Sequence, residues 1–113
     1  MFEKNLLISD LLDEYAAVLS SRHRQLLDYY YNQDLSLAEI AAEVGISRQG
    51  VRDGIKKAED ELFFMEERLQ LHRRAQNMRD AAQMLLADAD ENTAHAVKEM
   101  LRAAGIEPEG EGA

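Results

Sequence analysis

The chain has 113 residues, enough for one compact domain or a domain with an arm, and its 46% hydrophobic content supports a core and argues against wholesale disorder. Its net charge of −9 is opposite to that of a typical free-standing nucleic-acid binder, so any such binding rests on local basic patches and is expected to be weak alone. Cysteine is absent, no apolar run approaches the ~20 residues of a membrane span, and the opening MFEKNLLISDLLDEY is not a secretory signal, so disulfides and thiolate metal sites are excluded and a cytoplasmic protein is expected.

Few segments favour strands and long ones carry helical periodicity, so the chain is expected to be all-α. A first helix is predicted over residues 4–19, with Leu7, Ile8, Leu11, Leu12, Tyr15 and Leu19 on its apolar face. Ser20 or Ser21 then caps a second helix over residues 22–31, which buries Leu26, Leu27 and Tyr30. Arg22, His23 and Arg24 crowd its first turn, where the helix dipole disfavours cations. They read either as a solvated basic turn or as a second phosphate contact. Tyr29, Tyr30 and Tyr31 cannot all face one way at ~100° per residue, so one or two are expected to pack with a hydroxyl reaching solvent.

The most informative stretch is SLAEIAAEVGISRQGVRDGIKK, residues 36–57. Ser36 and Glu39 have capping-box spacing, and Leu35 and Ile40 the spacing of a hydrophobic staple over it. Ala38, Ala41 and Ala42 are small enough for a neighbouring helix to approach. Gly45 fits a left-handed helix end, Ile46 a plug between two helices, and Ser47 the cap of the next helix. Val51, Ile55, Ala58 and Leu62 make the buried stripe of that helix. Arg48, Arg52 and Lys56 recur every four residues on another face, beside Gln49 and Lys57. Over residues 48–58 four cations stand against Asp53, a local balance of +3. This is a helix-turn-helix layout, whose second helix enters a DNA major groove. One departure is Gly54, where the motif often has an apolar residue.

The helical pattern runs on. Ala58, Leu62, Met65, Leu69 and His72 continue the seam with heptad-like spacing, and Leu71, Ala75, Met78, Ala82 and Leu85 form a second seam on a different face. An unbroken helix from Arg48 to Leu86 would be ~58 Å long, too long for one small domain. It either changes partner or bends near His72. A homodimer is therefore expected through Leu62, Phe63, Phe64, Met65, Leu69, Leu71, Met78 and Leu85. Arg68, Arg73, Arg74 and Arg79 form a second basic island, read as salt bridges to Glu66, Glu67, Asp80 or a partner's acids rather than as a contact to RNA or an acidic protein. A last helix is predicted from Glu91 or Asn92 to Ala104, ended by Gly105 and Pro108. The domains are thus expected at residues 1–65, an arm at 66–105 and a disordered acidic tail at 106–113. His23, His72 and His95 are too scattered for a metal site, and no nucleophile, phosphate loop or carboxylate–histidine cluster indicates an enzyme, a cofactor or a small-molecule substrate.

The segment YNQDLSLAEIAAEVGISRQGVRDGIKKAEDEL, with LLDEYAAVLSSRHRQLLDYYY before it, resembles the YlxM-type bacterial proteins. The resemblance covers about residues 5–75. It implies an all-helical fold with a helix-turn-helix similar to region 4 of RNA polymerase sigma factors. The genes of that family often neighbour those of the signal recognition particle GTPase and its receptor, which implies a part in protein targeting. Carried over, the recognition helix is residues 47–57, presenting Arg48, Gln49, Arg52 and Lys56 outward; the residues' own pattern adds Ser47 and Lys57 on the same segment and Arg22 and Arg24 as flanking candidates for nucleic-acid contact. The implied partners are DNA or signal recognition particle RNA, and the particle's GTPase. The alternatives are a DNA-binding transcription regulator and an adaptor docking on that GTPase or on RNA polymerase without nucleic acid.

Overall fold

The computed structural model describes residues 5–108. The start expected at Lys4 and residues 109–113 of the expected disordered tail lie outside them. Among the described residues every regular element is helical: α1 (Leu7–Tyr15), a 3-10 turn (Ala16–Val18), α2 (Ser21–Leu27), a π-helical turn (Asp28–Asn32), α3 (Leu37–Val44), α4 (Arg48–Leu69), α5 (Leu71–Leu86) and α6 (Glu91–Ala103). They fall into two compact units, divided between Gln70 and Leu71.

The first unit is built on α4. Val51, Ile55, Ala58 and Leu62 are completely buried along one stripe of it, and α1, α2 and α3 each pack against it. Ile8, Leu11, Leu12 and Tyr15 face it from α1, Leu26 and Leu27 from α2, and Leu37 and Ile40 from α3, in one core with Leu19 and Tyr30. The heptad-like seam that suggested a second chain is thus covered in this part by the chain's own helices. Leu62, expected at a dimer interface, lies in its own chain's core and cannot reach a partner. Met65 packs half-buried against the same core.

Each helix end has a local cause. The cap of α2 is Ser20, whose Oγ accepts from the His23 N–H at 3.2 Å. The first helix is shorter than expected, because its last turn tightens at Ala16–Val18 and Leu19 turns extended. The second also ends early: Gln33 N–H donates to the Asp28 carbonyl at 3.0 Å, a bond five residues back that widens the turn. The wider turn changes the angle between neighbouring side chains, so the tyrosines do not follow α-helical spacing. Tyr30 is buried and Tyr29 and Tyr31 pack half-buried on the core, with the Tyr30 and Tyr31 rings edge to face at 5.2 Å.

Gln70 ends α4 in the left-handed conformation, φ 56°, its N–H donating to the Glu66 carbonyl at 2.8 Å. The helical pattern over 48–86 is therefore two helices, broken two residues before His72, where a bend was one of the two expectations, and α4 alone spans ~33 Å at 1.5 Å per residue. In the second unit α5 and α6 form a helical hairpin. Asp90 caps α6 by accepting from Thr93 N–H at 2.7 Å. At its other end Ile106 N–H donates to the Leu101 carbonyl and Gly105, at φ 75°, to that of Arg102. This is the paired closure expected when a glycine follows a helix. The tail is ordered further than anticipated: Pro108 is buried and Arg79 Nε donates to the Glu107 carbonyl at 2.9 Å.

Candidate nucleic-acid interface

The helix α3 is held at its start by a complete capping box. Glu39 N–H donates to Ser36 Oγ at 3.1 Å and Ser36 N–H to Glu39 Oε1 at 3.0 Å, and these hydrogen bonds to the backbone and side chain of Ser36 hold the Glu39 carboxyl below its ordinary value. Gly45 ends α3 at φ 74°, with its N–H and that of Ile46 both turned onto the Ala41 carbonyl. Ser47 then starts α4, accepting from Gly50 N–H at 3.0 Å. Of the three alanines only Ala41 packs on the core; Ala38 and Ala42 are exposed. Ile46 does not plug the angle but stays 36% exposed, its Cδ1 lying 3.5 Å from where a Gly50 Cβ would stand. Val44 packs on the core instead.

Gly54 has a steric reason. A Cβ there would stand 2.6 Å from Leu26 Cδ1, so the missing side chain lets α2 lie close against α4. The α2 helix gains a second tie where His23 Nδ1 comes within 2.9 Å of Glu61 Oε1. Tyr15 donates to Glu66 Oε1 at 2.6 Å and Tyr31 to Glu59 Oε2. Burial, reinforced by the Glu59 carboxylate, raises the Tyr31 hydroxyl well above the ordinary tyrosine value. The acidic run after the recognition segment thus fixes α4 against its neighbours, a role that linear spacing along one helix does not reveal.

With its inner stripe buried, α4 turns Arg48, Gln49, Arg52, Lys56 and Lys57 outward, all exposed, with Ser47 before them. The outer face is partly self-engaged. Gln49 Nε2 donates to Asp53 Oδ1 at 2.9 Å. Lys56 Nζ pairs with Asp60 at 2.7 Å, and that bond raises the lysine's pKa. Arg48 occupies the first turn of α4, where backbone N–H groups and the helix dipole also favour an anion. Arg22 and Arg24 are exposed too, but they line an open cleft of about 760 Å³ with Leu12, Asp13, Gln25 and Asp28. No residue of the recognition segment shares that cleft, and Asp13 and Asp28 offset its cations.

In and around the second basic island three contacts are defined. The Arg68 guanidinium stacks over Phe64, 5.2 Å from the ring centre. Asp80 accepts from Gln76, and Arg79 bonds the Glu107 carbonyl. Phe63, Phe64, Leu69, Leu71, Met78 and Leu85 are exposed. Among the described residues no group of three or more His, Cys, Asp or Glu could hold a metal ion, and no helix is long and apolar enough to cross a membrane.

A small residue, a left-handed glycine and a serine-capped second helix with a buried stripe and a polar outer face define a helix-turn-helix protein. Residues 2–101 match the family UPF0122, described as "Putative helix-turn-helix protein, YlxM / p13 like", and the chain belongs to that family. It is 38% identical to the UPF0122 protein of Clostridium kluyveri over 103 residues, 85% of this chain and 93% of that one. It is 45% identical to a UPF0122 protein of Caldanaerobacter subterraneus over 73 residues, 65% of this chain and 62% of the relative. A UPF0122 protein of Listeria innocua is 40% identical over 76 residues, 67% of this chain and 69% of its own length. The family is described by its helix-turn-helix and not by a reaction.

Proposed function

We propose that this chain is a nucleic-acid-binding accessory protein of the signal recognition particle pathway, contacting the particle's RNA through the outer face of α4. The observation that carries the nucleic-acid reading is the row Arg48, Gln49, Arg52, Lys56 and Lys57, exposed on a helix whose opposite stripe is buried. Guanidinium and ammonium groups at this spacing hold phosphates, and the Gln49 amide meets a base edge once it exchanges Asp53 for it. That exchange costs about 1 kcal/mol, so base reading is secondary to phosphate holding. The link to the particle rests on the resemblance to YlxM-type proteins and their gene neighbourhood. DNA is the alternative ligand for the same face, and would make the chain a transcription regulator.

The test is fluorescence anisotropy with signal recognition particle RNA and a duplex DNA of matched length, using the wild-type chain, Arg48→Glu and Arg24→Glu. The expected result is tighter binding to the RNA, loss of binding in Arg48→Glu with the fold intact, and a smaller loss in Arg24→Glu. Binding that survives Arg48→Glu at physiological salt contradicts the assignment of the face, and preference for the duplex contradicts the targeting role.

A second reading has its own observation. Val18, Phe64 and Met65 line an open apolar groove of about 590 Å³ with Lys57, Asp60 and Glu61 on its edge. As an adaptor the chain would seat an apolar, basic segment of the targeting GTPase or of RNA polymerase there. Co-elution without RNA that is lost on Phe64→Ala supports this reading; co-elution only when RNA is present opposes it.

A further inference from the structure

The α5–α6 hairpin is short of buried apolar surface. Its buried described residues are Ala75, Ala82, Leu101 and Pro108. Met78, Leu85 and Met100 stay 51%, 62% and 71% exposed. With Ala82, Val97 and Leu101 they line an apolar groove of about 290 Å³ between the two helices. Units of roughly 40 residues usually need a disulfide, a metal or a second copy to complete a core. The chain has no cysteine, and no metal-holding group exists among the described residues.

Charge selects among possible occupants. The first turn of α5 carries Arg73 and Arg74 and no acid, whereas the turn between α5 and α6 and the first residue of α6 carry Asp88, Asp90 and Glu91 and no cation. Arg74 precedes Met78 by one helical turn and so shares the groove's face, while Asp88 follows just beyond Leu85. The groove is basic at one end and acidic at the other. Two such hairpins related by a two-fold axis through the groove run antiparallel and lay each basic end on the other's acidic turn. A parallel pairing stacks like charges.

We propose that this groove is where a second copy of the chain docks, hairpin on hairpin, as an antiparallel four-helix bundle. Met78, Leu85 and Met100 fill the shared core, and Arg74 of each chain meets the acidic turn of the other. The proposal does not depend on the nucleic-acid reading, because association is measured in its absence.

Sedimentation equilibrium of the full chain tests it. The expected mass is twice the 12.8 kDa of one chain. Leu85→Glu and Met100→Glu, both at exposed positions, are each expected to return the mass to a single chain with circular-dichroism helicity unchanged. Asp88→Arg alone is expected to weaken association roughly tenfold at low salt, because the two-fold axis doubles each lost pair. Adding Arg74→Asp to the same chain restores it. A wild-type monomer at every concentration overturns the proposal, including one whose groove takes up another protein's helix. A dimer that survives both groove substitutions, or is lost only on Phe64→Glu, also overturns it. Failure of the double reversal overturns the antiparallel arrangement.

Discussion

Gly50 and Gly54 lie four residues apart in α4 and look equally costly, each giving up roughly 1 kcal/mol of helix propensity relative to alanine. Their surroundings separate them. At Gly50 a Cβ would meet Ser47 Oγ at 3.1 Å, a surface hydroxyl with room to shift. At Gly54 it would meet Leu26 Cδ1 at 2.6 Å, within the core. Gly50→Ala is therefore expected to be near neutral by urea denaturation, with the propensity gain offsetting the strained cap. Gly54→Ala is expected to cost about 1–2 kcal/mol, because overpacking exceeds that gain. A Gly54→Ala protein as stable as wild type would contradict the close packing of α2 on α4. Tyr31 gives a second test. Its hydroxyl is raised above the ordinary value near 10, so the fold favours the neutral form. The corresponding stability is complete below about pH 10 and is lost as pH climbs through the higher folded value. Tyr31→Phe should destabilise the chain by about 1–2 kcal/mol at neutral pH, and the gap to wild type should close above about pH 10. A gap independent of pH would mean that the contact with Glu59 is incidental.

At the scale of the element, the features read correctly from sequence are those with a local cause. The capping box at Ser36 and Glu39, the left-handed Gly45, the Ser47 cap and the Gly105 stop each involve residues at most five positions apart. Their chemistry is visible in the spacing itself. The features that escaped depend on what lies across the fold. A bend near His72 was one of the two expectations, but neither a glycine nor a proline places the break at Gln70, and nothing in DYYYN announces a π-helical turn. The Leu62 stripe was legible as buried, but periodicity does not say what covers it, and the chain's own α1, α2 and α3 do. For the candidate interface, the outward row from Arg48 to Lys57 was legible because it opposes the apolar stripe. The Gln49–Asp53 and Lys56–Asp60 pairs have ordinary helical spacing and could have been anticipated. The separate placement of Arg22 and Arg24 could not. The break itself is testable: Gln70→Gly removes the side-chain penalty of a left-handed residue and should stabilise the chain by about 0.5–1 kcal/mol. A loss of stability would show that the Gln70 side chain contributes more than its backbone strain costs.

At the scale of the whole molecule, a chain of net charge −9 must bind a polyanion through a local surface, because long-range attraction works against it. The row on α4 is the surface proposed for this, and the proposed dimer would carry two of them, which would raise avidity without any new contact. Tyr15, His23 and Tyr31 hold acids of α4 in contacts with α1, α2 and the π-helical turn.

The most direct measurement is the salt dependence of binding to signal recognition particle RNA, for wild type and Arg48→Glu in parallel. If Arg48, Arg52, Lys56 and Lys57 hold the phosphates, the log–log slope should be about −2 to −4 for wild type, with binding lost in the variant. A slope near zero, or equal binding by the two proteins, would contradict the claim that the outer face of α4 is a nucleic-acid interface.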